Sequence, residues 1–356
     1  MYDLNALKER FLFMKEAAKK SNIKILFAVK SFPAYKILDL ASSYVDGFEV
    51  SNIAEYNLLP KNDCYKFISV NDPTINLEDL SVYADENNKK ISYNLDSIDN
   101  TIITALQNYV SSPNLQFGIR LSHTELGIDS SDYRSGVNTS RFGIKIQEAI
   151  ELIKTNYIIS GIHLHNGSEA NNVESYKLIA NKILSYLQQN RIKIKYINFG
   201  GGLHTLSDHE ILLLFREIRD IIPQNIEIIF EPGNAFCKKS GYAIAKIKNV
   251  KEVTKEKYMV TTDISYESNL KWSTPRYYPL HKINELEPGK TRYVDVAFYG
   301  SSCFEQDFIL DWKIEINDFR ENIIRDKLII FSNINGYAFA WNHSFNGIPE
   351  SEVYFI

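Results

Sequence analysis

The chain has little cysteine, no run of basic residues and no long apolar stretch, and each shortage closes a class of function. Three cysteines, Cys64, Cys237 and Cys303, stand far apart in 356 residues. They form neither a disulfide framework nor a CxxC metal pair, which fits a reducing cytoplasm. A net charge of -4 with no Lys/Arg block gives no electrostatic support for a nucleic-acid polymer or a membrane surface as partner. No stretch approaches the roughly 20 apolar residues of a membrane span. The opening "MYDLNALKER" lacks a signal-peptide apolar block, and low-complexity segments are missing. What is present is core: 44% hydrophobic and 13% aromatic residues suffice for one large domain or two. A small molecule is the partner that remains.

Short β-branched or aromatic runs alternate with helical segments from the N-terminus to about residue 235. They are "KILFAVK" (Lys24 to Lys30), "GFEVS", "KFISV", "ISYNL", "FGIRLS", "ISGIHLH", "KYINFGG" and "IEIIFEPG". Between them lie segments of helical period such as "VESYKLIANKILSYLQQN" and "SDHEILLLFREIRDII", the latter opened by Ser207 with Glu210 in capping-box spacing. Several runs are nearly all apolar, as parallel strands buried on both faces are. The alternation predicts an α/β fold, a (β/α)8 TIM-like barrel. Ser122 to Ser140 is polar and Gly/Ser-rich and reads as a long loop after the fifth strand. Beyond Gly241 strand-like runs follow with few helical intervals, which predicts a mainly antiparallel β domain. The division expected is 1–238 for the barrel and 239–356 for the β domain.

Barrel active sites are built at the C-terminal ends of the strands. Those ends present Lys30, Ser51, Asn52, Asn71, Asn94, Arg120, His163, His165, Gly200, Gly201, Gly202 and Glu231. A strand-terminal lysine is ordinarily solvated; at a barrel mouth, partly desolvated, it can condense with a carbonyl. "HLH" puts His163 and His165 on one side of a strand, and a glycine triplet lets backbone N–H groups approach an anion. Each alone also has a structural reading. Together, a lysine for an imine, a glycine loop for a phosphate, an imidazole to stack on a ring and a carboxylate for a ring nitrogen describe a site for pyridoxal 5'-phosphate. Paired histidines also occur in metal sites, but such a site wants a further His and an Asp and gives the glycine loop and Lys30 no common purpose. No metal is expected.

The sequence resembles the fold-type III pyridoxal-phosphate decarboxylases, the group of diaminopimelate, ornithine and arginine decarboxylases, and is most similar there to carboxynorspermidine decarboxylase. The resemblance is carried in order by "KILFAVKSF", "DGFEVSNIAEYNL", "GIHLHNGSE", "YINFGGGLH", "FEPGNAF", "YGSSCFEQD" and "NGYAFAWNHSFNGIP". It implies an alanine-racemase-like barrel in which Lys30 carries the cofactor and His165 stacks on its ring. Gly200, Gly201 and Gly202 with Ser168 and Tyr337 would hold the phosphate, and Glu231 would pair with the pyridine nitrogen. Cys303 would reach the site from the second subunit of a homodimer whose active sites lie at the interface, and return a proton to Cα. Asp307 would meet a substrate amine, with Glu305, Asn234 and Phe345 also facing substrate.

A carboxylate beside the ring nitrogen keeps it protonated and favours carboxyl loss; related racemases carry arginine there. After "EPG" the amino-acid decarboxylases of the group usually carry arginine, whereas this chain has Asn234, so the distal end of the substrate is expected to be basic or neutral, with Asp307, Glu305 and Glu169 as acidic partners. The chain begins almost at the first barrel helix, so the strand an N-terminal segment lends to the β domain is expected to be minimal. The expected activity is decarboxylation of a carboxylated polyamine. The alternatives are a 3-amino-3-carboxypropyl group on another scaffold, as in antibiotic tailoring, and a catalytically decayed regulatory relative, which the presence of Lys30 and Cys303 opposes.

Overall fold

The computed structural model describes residues 1–74, 76–86, 88–122, 141–156, 158–165, 172–279 and 292–356. Most of the Ser122 to Ser140 loop, and Ser168 and Glu169, lie outside the described residues. Two compact units form, one of Lys8–Phe236 and one of Met1–Leu7 with Cys237–Ile356. The N-terminal residues thus join the second unit, where the sequence division had put them with the first. There Tyr2 makes isolated bridges to Phe355 and Gly241.

The first unit is a closed barrel of eight parallel strands in sequential order, β1 to β8. Its strands are β1 (Lys24–Ala28), β2 (Gly47–Val50), β3 (Phe67–Val70), β4 (Lys90–Leu95), β5 (Leu115–Arg120), β6 (Ile159–His163), β7 (Tyr196–Asn198) and β8 (Glu227–Phe230). Helix α1 (Leu4–Lys20) precedes β1, and α2 (Tyr35–Ser42), α3 (Ile53–Asn57), α4 (Leu80–Ala84), α5 (Asn100–Gln107), α6 (Ile146–Thr155), α7 (Val173–Gln189) and α8 (Asp208–Ile221) fill the crossovers. The sequence explains the two longest crossover helices locally. In α7, Val173, Tyr176, Ile179, Ala180, Ile183 and Leu187 recur every three or four residues and are all buried, while Asn172 caps the N-terminus by accepting from Ser175 N–H. In α8 the reciprocal Ser207 and Glu210 bonds of a capping box are both made.

Side-chain alternation turns one residue in two toward the barrel axis. At the floor, Lys24 and Lys90 share the Glu227 carboxylate at 2.8 and 3.3 Å, and the Lys24 ammonium sits 3.7 Å from the Phe67 ring centre. Above them Leu26, Tyr196 and Ile229 pack as an apolar layer. Glycine makes room for Tyr196: a Cβ on Gly161 would lie 2.1 Å from its ring, and one on Gly118 would lie 2.2 Å from its hydroxyl. Above that layer the interior turns polar, and this is where the chemistry sits.

The second unit is a six-stranded sheet in the order β11-β14-β9-β10-β12-β13. Its members are β9 (Gly241–Thr254), β10 (Lys257–Thr262), β11 (Arg276–Tyr278), β12 (Tyr293–Tyr299), β13 (Phe308–Glu315) and β14 (Leu328–Ile334). Neighbours pair antiparallel except β10 with β12, which run parallel. One face buries Ile247, Val260, Val296, Phe298, Ile314, Ile329 and Phe331 as a core of its own. No described helix is long and apolar enough to cross a membrane.

Candidate active site

The strands end slightly earlier than their apolar runs, so the chemical residues occupy the turns just above them. Lys30 is the middle residue of a 3-10 turn, Val29–Ser31, that follows β1. Its Nζ lies 2.8 Å from both carboxylate oxygens of Glu49, whose side chain is only 1% exposed against 45% for the lysine. The turn is locked from beside: a Cβ on Gly233 would strike Ser31 at 2.6 Å, and Ala28 N–H donates to Pro232 carbonyl. The lysine expected to be partly desolvated at the mouth is thus paired with a buried carboxylate.

A chain of neutral donors joins this ion pair to Glu231. The Asn71 amide nitrogen lies 3.2 Å from Glu49 and 2.9 Å from Glu231, so one side chain donates to both carboxylates. The two functional groups thus stand at one mouth. Asn94 donates to Asn71 and to Ser69, and Tyr196 hydroxyl donates to Asn94 at 2.7 Å, fixing which way each amide faces. Asn198, fully buried at the end of β7, donates to Glu231 at 2.5 Å and accepts from Gly200 N–H at 2.9 Å. His163 Nε2 completes the shell around Glu231 at 3.2 Å. Burial alone would push the Glu231 carboxyl up, but the His163 charge and bonds from His163, Ser69 and Asn198 outweigh it and hold the group at about 2. It is a carboxylate in any ordinary buffer.

In the loop after β7, Gly200 and Gly201 are glycine for steric reasons. Gly200 has φ +65°, and a Cβ on it would lie 2.4 Å from Leu164 carbonyl. A Cβ on Gly201 would come within 2.9 Å of Glu231 carbonyl and 3.5 Å of His165 Cε1. Gly201 N–H donates to His165 Nδ1 at 3.3 Å, which assigns the proton of the neutral ring to Nε2. Burial, then the charges of Lys30 and Arg120, drive the His165 pKa down to about 3, so the ring is uncharged. Arg120 itself pairs with Asp96 at 3.0 Å.

The segment from Ser51 to Glu55 caps α3. Asn52 accepts from Glu55 N–H, and the Glu55 carboxylate accepts from Ser51 N–H at 2.7 Å. Asn234, itself half-buried, opens the otherwise buried 3-10 turn Asn234–Phe236 that follows Glu231. Among the described residues no group of three or more His, Cys, Asp or Glu side chains gathers as a metal site, and His163 Nε2 is spent on Glu231.

In the second unit two motifs far apart in sequence meet: Cys303 N–H donates to Asn346 Oδ1 at 2.8 Å, with Asn346 held at φ +58°. Cys303, Phe304, Glu305 and Phe345 are all exposed. Asp307 is not: it is 1% exposed, and its oxygens accept from Tyr266 N–H, Ser302 N–H and the Ser302 hydroxyl. That carboxylate is committed to Tyr266 and Ser302, where the sequence had suggested a contact to substrate. Tyr337 opens a short helix, Tyr337–Ala340, and is half-buried. Glu49, Asn71, Asn94, Ser69, Tyr196 and Asn198 make up the web beneath the site; sequence reading had singled out only Asn71 and Asn94. A glutamate in the inward register of the apolar "GFEVS" run was the signal for Glu49.

Residues 4–238 match the family model "Pyridoxal-dependent decarboxylase, pyridoxal binding domain". The chain is similar to diaminopimelate decarboxylase of Campylobacter jejuni, 23% identical with 97% of this chain and 87% of that protein covered. It is 22% identical to carboxynorspermidine/carboxyspermidine decarboxylase of the same species, covering 96% and 88%. It is also 22% identical to 2-[(L-alanin-3-ylcarbamoyl)methyl]-2-hydroxybutanedioate decarboxylase of Staphylococcus aureus, covering 100% and 93%. Among solved structures, arginine decarboxylase of Paramecium bursaria Chlorella virus shares the fold with a TM-score of 0.77 at 18% identity, over 100% of this chain and 94% of that one.

Proposed function

Because this chain belongs to the pyridoxal-dependent decarboxylases, we propose that it removes the α-carboxylate of a carboxylated polyamine of the carboxynorspermidine or carboxyspermidine kind, as a homodimer. Its cofactor is pyridoxal 5'-phosphate. The residues fit that group: a loop with no room for a Cβ at Gly200 or Gly201, an uncharged imidazole beside it, a carboxylate held ionised, and a lysine at the same mouth. Bound there, the cofactor's ring supplies an electron sink for the pair that carboxyl loss leaves on Cα. Lys30 is the attachment point. Glu231 holds a proton on the ring nitrogen by its charge, and it can do so because Asn198, Asn71 and His163 keep it from taking that proton itself. His165 offers a flat, neutral face. The glycine loop takes the phosphate. Cys303 of a second copy returns the proton to Cα; its exposed thiol and its backbone pinned by Asn346 suit that role.

The observation that carries the reading is the Glu231 clamp, which suits a carboxyl-losing enzyme. Asn234 in place of a cation supports a distal group that is not a carboxylate, and exposed Glu305 supplies the acid for a distal amine now that Asp307 is engaged elsewhere. The test is CO2 release from a panel of carboxynorspermidine, carboxyspermidine, diaminopimelate, ornithine, arginine and lysine. Turnover of diaminopimelate in preference to the carboxylated polyamines would refute the substrate class. A second reading, an aminocarboxypropyl arm on a larger scaffold, is supported by the full-length likeness to the Staphylococcus aureus enzyme, whose named substrate carries an L-alanin-3-yl group on a hydroxybutanedioate. Including such a compound in the panel separates the two.

A further inference from the structure

The glycine loop is held from two sides, and the outer hold belongs to α7. Tyr176 is fully buried, and its hydroxyl donates to Gly201 carbonyl at 2.7 Å. Its ring lies against Phe199 and Phe230, at centroid distances of 6.4 and 5.7 Å. These two rings occupy the outward register of β7 and β8, opposite to inward-facing Asn198 and Glu231. The phenol therefore reaches the loop from the helix layer. A trans peptide points its N–H opposite to its C=O. A bond that fixes Gly201 carbonyl toward α7 thus turns Gly202 N–H to the other side, toward the barrel mouth. On the inner side Asn198 accepts from Gly200 N–H. One bond on each flank sets the Phe199–Gly200 and Gly201–Gly202 peptide planes, and the bond from Gly201 N–H to His165 holds the plane between them.

We propose that Tyr176 is a positioning residue for phosphate binding: its hydroxyl orients the Gly201–Gly202 peptide so that the Gly202 N–H is presented to the cofactor's phosphate. The inference rests on the reading that Gly200 to Gly202 form the phosphate loop. Burial pushes the phenol pKa up, so the hydroxyl remains a donor throughout the working pH range. Nothing in an apolar helical face requires a hydroxyl at this position. Phenylalanine would fill the same volume, so Tyr176→Phe removes one oxygen and leaves the packing.

The experiment titrates apo wild type and Tyr176→Phe with pyridoxal 5'-phosphate and, separately, with pyridoxal, which lacks the phosphate. Binding is followed by the visible band, with the apo melting temperature measured alongside. The expected result is affinity for the phosphorylated ligand weakened about tenfold, the worth of one buried hydrogen bond at 1.4 kcal/mol per decade, with pyridoxal affinity unchanged. Equal affinities of wild type and variant for the phosphorylated ligand would overturn the inference. So would equal losses for both ligands, or an apo variant that melts well below wild type, because either assigns the hydroxyl to the fold at large. A wild type that binds the phosphorylated ligand no better than pyridoxal removes the phosphate-loop reading itself, and the proposal with it.

Discussion

Replacing Asn198 by leucine tests the web beneath the site at its most connected point. Leucine keeps the volume and shape but neither donates nor accepts. It leaves the buried Glu231 oxygen without its 2.5 Å donor and Gly200 N–H without its 2.9 Å acceptor. A hydrogen bond to a charged group is worth about 1.5–3 kcal/mol and an orphaned buried N–H costs about 1–3 kcal/mol, so the expected loss is about 3–5 kcal/mol. That is a large share of the roughly 5–15 kcal/mol that stabilises a domain. At a urea slope of about 3 kcal/mol per molar it lowers the midpoint by about 1–2 M. The chain offers an internal control: its three tryptophans, Trp272, Trp312 and Trp341, all belong to the second unit. Far-UV circular dichroism follows the barrel helices while tryptophan fluorescence follows the β unit. The apo protein is expected to lose its dichroism at markedly lower urea. A dichroism midpoint within about 0.3 M of wild type, less than 1 kcal/mol at that slope, would refute the account of Asn198 as a strut between the loop and the carboxylate.

Further outcomes follow from the same geometry. Because the Glu231 pKa is depressed in the folded chain, its contribution to stability is present above about pH 4.5 and lost as pH falls toward 2. Glu231→Gln is therefore expected to flatten the acid limb of the apo protein's stability curve in that window; an acid limb identical to wild type would contradict this. Gly200→Ala, with φ +65° and Leu164 carbonyl 2.4 Å from the new Cβ, is expected to weaken cofactor binding at least tenfold, read by equilibrium dialysis, for a strain of about 1–2 kcal/mol or more. Lys30→Ala is expected to abolish the visible band and CO2 release, and to lower the melting temperature, because it leaves the buried Glu49 carboxylate without its cation. Cys303→Ala is expected to leave carboxyl loss in place but misdirect the returning proton, so that product analysis finds the carbonyl product of decarboxylative transamination in place of the amine.

The barrel was legible because its strands are short apolar runs at regular spacing, and that regularity named Lys30, His165, Gly200 to Gly202 and Glu231 before any coordinates. What stayed hidden has physical causes. Tyr176 sits at an ordinary apolar helix position, and a helical period cannot tell that the tip of its side chain reaches a loop carbonyl. Asn198 is three strands away in sequence order from Asn94 and joins the same web only because the sheet closes on itself. Asp307 carries a charge beside a cysteine motif, and nothing in the order of residues reveals that Ser302 and the distant Tyr266 N–H already hold it. In the second unit the parallel pairing of β10 with β12 was equally unreadable. Strand runs specify a pleated surface, whereas direction depends on the path between them.

The ring of Tyr196 occupies the volume that two side chains on β5 and β6 have given up. A methyl group at position 161 would overlap that ring and one at 118 its hydroxyl, so these sites behave as a single trait. Alanine at Gly161 is viable only with a smaller residue at 196, and that exchange would remove the donor that orients Asn94. Substitutions in the midsection of this barrel are therefore expected to arrive in concert or not at all. A library that varies one of the three positions at a time will find only losses, while one that varies them jointly opens the route to a remodelled floor.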